Sequence, residues 1–82
     1  MPRFHFHIKE NGRLIEDEEG QDFEDNNAVR REAVETGASI ARDAFIRGSA
    51  KQLIVDVRQA DVLVLTVSIS LVVEANFKPA AK

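Results

Sequence analysis

From Arg3 to Lys9 the chain alternates without exception, with Phe4, Phe6 and Ile8 set against Arg3, His5, His7 and Lys9. Successive side chains of an extended strand point to opposite faces, so the alternation predicts a half-buried β-strand with one apolar and one cationic side. Asn11-Gly12 follows it. A type I′ turn needs positive φ at both central residues, which makes Asn-Gly after such a run a hairpin signal. Leu14 and Ile15 then belong to the returning strand, which ends near Glu16. A second alternation runs from Gln52 to Arg58, with Leu53, Val55 and Val57 on one side and Ile54, Asp56 and Arg58 on the other. Gln59-Ala60-Asp61 closes a second hairpin onto Val62–Val67, the most β-prone stretch of the chain. Regular alternation would place Leu63, Leu65, Val67 and Ile69 on one face of this last strand, and Val62, Val64, Thr66 and Ser68 on the other. Ile69 to Ala75 fits either continued strand or a short terminal helix.

Between the hairpins, Asp17-Glu18-Glu19-Gly20 turns the chain and the apolar period becomes helical from about Asn26 to Arg47. Asp25, Asn26 and Asn27 are all competent N-caps, and Gly48 is suited to the position just past the end. Val29, Ala33, Val34, Gly37, Ile40, Ala41, Ala44 and Phe45 form the apolar stripe. Its small members let the helix axis come close to a sheet. Strand, strand, helix, strand, strand is an α+β plan, ββαββ: a four-stranded, mainly antiparallel sheet with one long helix packed on one face. A right-handed crossover gives the strand order 2-1-3-4. Residues 1–75 read as a single domain, and 76–82, with Pro79, as a frayed tail.

Composition narrows the chemistry. With 82 residues, 44% of them apolar, the chain can build one small core. The absence of cysteine excludes a disulfide framework, a thiol nucleophile and cysteine-based zinc sites. Val62–Val73, interrupted by Thr66, Ser68 and Ser70, is too short for a membrane helix of about 20 residues, and Met1–His7 lacks the apolar run of a signal peptide. A cytoplasmic protein without membrane association is therefore expected. The net charge of −3 offers no global field toward nucleic acid. Half of the 14 acidic residues fall between Glu16 and Asp25. They lack the spacing of a calcium loop and read as a solvated lead into a helix N-terminus.

His5 and His7, as H-x-H on a strand, put two imidazoles on one face roughly 6.5–7 Å apart. That spacing suits two ligands of a metal, with Asp56 as the acid the register supplies and Glu16 or Asp61 under a shifted register, but two ligands are not a site, and solvated residues on an open sheet face are the plainer expectation. No cofactor or metal is therefore expected. Neither G-x-S-x-G, H-E-x-x-H nor a P-loop occurs, so the chain reads as a non-enzyme. Arg3, His5, His7, Lys9 and Arg58 share one face and could hold nucleic acid or another anion weakly. The aromatic platforms of single-strand binders are missing from that face, since Phe4, Phe6 and Phe45 are predicted to point into the core. Ile54, Val62, Val64 and Val72 are apolar at positions that alternation assigns to solvent, and the last strand offers an apolar edge. The leading expectation is a small interaction module, a homodimer formed through that outer face or that edge. Weak nucleic-acid or anion binding by the basic face is the alternative.

Pro2-Arg3-Phe4-His5-Phe6-His7-Ile8 with Asn11-Gly12, Asp17-Glu18-Glu19-Gly20, the Ala-rich helix around Arg30 to Ala33 and Ala41 to Ala44, and the closing Val55-Asp56-Val57-Arg58 and Leu65-Thr66-Val67 together resemble a family of short bacterial domains. That family is known only as a domain of unknown function. The resemblance covers nearly the whole chain and implies a compact α+β fold, a bacterial origin and no assigned chemistry. It carries no catalytic residue over. At Ala60-Asp61-Val62 the chain departs from the Asp-Gly type of turn more often found before the family's last strand.

Overall fold

Residues 2–79 are described by a computed structural model; Met1 and residues 80–82, which include the end of the expected tail, lie outside the described residues. Strands β1 (Arg3–Glu10), β2 (Arg13–Ile15) and β3 (Gln21–Asp22) precede helix α1 (Asn26–Arg47), and β4 (Gln52–Gln59) and β5 (Val62–Ser70) follow it. The sheet runs β2-β1-β4-β5, every pair antiparallel, which is the order the crossover rule gives. The expected four strands become five. Gln21–Asp22 pairs with Arg3–Phe4, on the stretch of β1 that the short β2 does not reach.

Asp25 is the N-cap chosen from the three candidates. Its backbone is extended and its carboxylate accepts the Ala28 N–H at 2.8 Å, satisfying one of the free donors of the first turn. At the other end Gly48 takes the left-handed conformation, φ 74°, and its N–H turns back to the carbonyls of Ala44 and Phe45. The buried side of α1 is Val29, Ala33, Gly37, Ala41 and Ala44. At Gly37 a Cβ would lie 3.0 Å from Val55 Cγ2 and 3.2 Å from Ile69 Cδ1, so the missing side chain is what lets the helix sit this close to β4 and β5. Val34, expected in the stripe, is exposed because the axis is that near the sheet and only the narrowest part of the apolar arc touches it.

Opposite the helix stand Phe4, Phe6 and Ile8 of β1 and Leu53, Val55 and Val57 of β4, the last three fully buried. Phe23 closes one end of this layer, edge-on to Phe4 at 6.0 Å and to Phe6 at 5.7 Å between ring centroids.

The last strand departs from simple alternation. Val57 pairs with Leu65 but Arg58 pairs with Leu63, so a β-bulge at Val64 inserts one residue into β5. Antiparallel partners share a face, and a one-residue slip reverses every side chain beyond it. Leu63 therefore joins Arg58 on the outer face and Val62 joins Gln59 on the helix side, the reverse of the expected assignment. Val64 borders a groove with Phe4, Asn27 and Val29 near the helix N-terminus. Ile54 keeps its outer position, opposite Lys9 and Ser68. Val72 is not on the sheet face at all, since β5 ends at Ser70. The Leu71 N–H still donates to the Lys51 carbonyl at 2.9 Å, after which residues 71–79 are exposed and form no helix. The long dimension of the molecule, 66 Å, is about twice the ~33 Å of a 22-residue helix.

Both hairpins have two central residues at positive φ, as type I′ geometry requires: Asn11 at 51° and Gly12 at 77°, Ala60 at 50° and Asp61 at 67°. The first pair suits that backbone. In the second, Ala60 brings a Cβ into a conformation that costs an ordinary L-residue about 1–2 kcal/mol, and Asp61 tolerates it only in part. Replacing Ala60-Asp61 by Asn-Gly is thus expected to raise unfolding stability by about 1–2 kcal/mol, read as a higher urea midpoint at unchanged slope.

Candidate functional site

The cationic face forms as alternation implies. His5 lies opposite Arg58, His7 opposite Asp56 and Lys9 opposite Ile54. Each cation nevertheless has a partner within the chain. Arg3 Nε lies 3.2 Å from Asp22 Oδ1, and its guanidinium also donates to the Glu19 carbonyl. Lys9 Nζ lies 2.9 Å from Asp56 Oδ2, whose other oxygen accepts from the Thr66 hydroxyl at 3.4 Å. Arg58 Nη1 donates to the Asp61 carbonyl at 3.1 Å across the second hairpin. Asp56, buried among these groups, is held by Lys9 and Thr66.

His5 and His7 are drawn to the backbone of one residue, Asp17. Nδ1 of His5 stands 2.9 Å from the Asp17 carbonyl and so carries the proton it donates. The Asp17 N–H donates to Nδ1 of His7 at 3.1 Å, which assigns that ring's proton to Nε2. The rings lie nearly parallel, 6.3 Å apart, close to the spacing the strand sets. Among the described residues no cluster of three or more His, Cys, Asp and Glu side chains is arranged to hold a metal ion, so the structure does not assemble His5, His7 and Asp56 into a coordination site.

Asp17 itself was not foreseen as important. Its Oδ2 accepts the Phe6 N–H at 3.0 Å and its Oδ1 the Gly20 N–H at 3.0 Å. Asp-x-x-Gly marks the turn in the sequence, but nothing there announces the reach back to β1. Gly20 is held by the same corner: φ is 74°, and a Cβ would meet the Phe4 carbonyl at 2.8 Å. Burial pushes the Asp17 carboxyl up, and the N–H groups of Phe6 and Gly20, the His5 imidazole and the Glu19 N–H outweigh it, leaving it below its ordinary 3.8.

The outer edge of β1 is consequently covered along its length. β3 takes Arg3–Phe4, the Asp17 carboxylate takes the Phe6 N–H, and β2 takes Ile8–Glu10. At the opposite end of the sheet β5 has β4 on one side and, among the described residues, no strand on the other. From Val62 to Val73 it carries no charged side chain. Val62, Leu63 and Val64 at its start are exposed, and so are Leu71, Val72 and Val73 just beyond its end. Among the described residues no helix is long and apolar enough to cross a membrane.

In comparison with known proteins, residues 3–70 match the model of a family described as a domain of unknown function (DUF6894). No curated protein and no solved structure matches the chain.

The carboxylate of Asp17 has a measurable signature. Asp17→Ala strands the Phe6 N–H and is expected to cost about 1–3 kcal/mol at neutral pH. A carboxyl held lower in the folded than in the unfolded chain stabilises fully above about pH 4, and that contribution is lost as pH falls through the folded value. Urea titrations of both proteins between pH 7 and pH 2 should therefore show the gap narrowing on the acid side.

Proposed function

The chain belongs to the DUF6894 family, and we propose that it acts as a small non-enzymatic interaction module that pairs with a second copy of itself through the edge of β5. The observation carrying this reading is the contrast between the two ends of the sheet. One end tapers into β2 and β3, strands of three and two residues, with a carboxylate on the N–H of β1 between them. The other is a nine-residue strand without charge or proline and, among the described residues, without a further strand beside it. Proteins ordinarily blunt such an edge with Lys, Pro or an overlying element, because its free N–H and C=O groups are a template for another strand. Two uncharged edges can approach without electrostatic penalty.

Three of the four apolar positions singled out by alternation, Val62, Val64 and Val72, lie along this edge or its continuation, while Ile54 remains half-buried on the outer face. The edge is accordingly better supported than the outer face as the contact. Nucleic-acid or anion binding by Arg3, His5, His7, Lys9 and Arg58 is less well supported, since those groups are engaged by Asp22, Glu19, Asp17, Asp56 and Asp61.

Sedimentation equilibrium over a range of concentrations tests the proposal. A mass approaching twice 9.2 kDa is expected for the wild type. Val64→Lys should return it to the monomer with its circular dichroism unchanged. A monomer at every concentration, or unfolding of the Val64→Lys variant, would overturn edge pairing. Binding of single-stranded DNA or RNA that weakens steeply with salt would favour the basic face instead.

A further inference from the structure

Along the free edge, the exposed apolar residues are concentrated at its two ends. Val62, Leu63 and Val64 are 60%, 46% and 47% exposed at the start, and Leu71, Val72 and Val73 are 37%, 80% and 75% exposed past the finish. Between them the outward positions carry hydroxyls, Thr66, Ser68 and Ser70. An antiparallel pair of identical strands has its two-fold axis perpendicular to the sheet, so each residue must meet one on the same face. Resting on the pairing through β5 proposed above, we infer that the second copy docks in one register, with the axis at Ser68, so that residues 71–73 of each chain clasp the bulged start of the other's β5.

The register follows from matching faces across the bulge. With Ser68 opposite its own copy, Thr66 meets Ser70, Leu65 meets Leu71, Leu63 meets Val72 and Val62 meets Val73. Hydroxyl faces hydroxyl and apolar faces apolar at each of these positions, the pairings that stabilise adjacent strands. The neighbouring registers do not achieve this. An axis at Val67 sets Leu63 against Ser70 and leaves Val72 against Asp61. An axis at Ile69 sets Leu63 against Glu74 and Thr66 against Val72. The clasp also supplies a partner for Val72 and Val73, which otherwise stand in solvent on backbone that already continues the ladder at Leu71.

Charge rescue in the full-length chain tests the register. Val72 lies outside every helix and strand, so Val72→Glu is expected to leave the circular dichroism unchanged and to weaken association at least about tenfold, roughly 1.4 kcal/mol. Leu63→Lys should weaken it similarly. The double variant Leu63→Lys with Val72→Glu is expected to recover most of the wild-type association, because each copy then sets a lysine against the other's glutamate. Leu63→Lys with Ser70→Glu, the combination an axis at Val67 would favour, should not recover. If Val72→Glu associates like the wild type, or if only the second combination recovers, this register is wrong while edge pairing stands. A wild type that is monomeric throughout removes both.

Discussion

An open sheet leaves a row of backbone N–H and C=O groups along each outermost strand, and how those groups are satisfied governs everything else this chain can do. At β1 the chain uses its own local sequence. The Asn11-Gly12 hairpin returns a strand too short to cover all of β1, so the remainder is met by Asp17 and then by Gln21–Asp22. The two histidines that look most like chemistry are part of this closure, because their Nδ1 atoms are bonded to the backbone of Asp17. At β5, among the described residues, no strand or side chain is placed to do the same. The sheet thus tapers to two short strands on one side and ends in a long strand on the other.

The single helix imposes a second asymmetry. It has to shield a face wider than itself, and it does so by lying close, with Ala33, Gly37, Ala41 and Ala44 in the contact. That closeness is centred on Val55 and Ile69, so β4 is sealed most completely and the far strands are left to other groups. Phe23 supplies cover for β1 from outside the helix, packing on Phe4 and Phe6. Leu14 and Ile15 on β2 remain exposed.

Much of this was legible in the sequence because it rests on local rules. Alternation located β1 and β4, periodicity set α1 at Asn26–Arg47, Asn-Gly and Gly48 marked their turns, and the crossover rule ordered the strands. The second hairpin formed despite its unfavourable Ala60-Asp61, because the pairing of the long strands β4 and β5 outweighs a local preference of about 1–2 kcal/mol. What stayed hidden depends on contacts between distant residues. The bulge at Val64 exists only relative to β4, and it reversed the faces of Val62 and Leu63. β3 has two residues and no periodicity to reveal it. The reach of Asp17 to Phe6 spans a hairpin and leaves no mark on the spacing.

The short strands beside β1 limit the valence of the sheet. A copy that added a strand at β5 would bring its own short-stranded side with it, so the enlarged sheet would end at both sides in β2 and β3, of three and two residues. Edges that short offer little ladder to a third strand. Joining through β5 would then be terminal, and an edge that could seed an open-ended fibre would become a coupling used once.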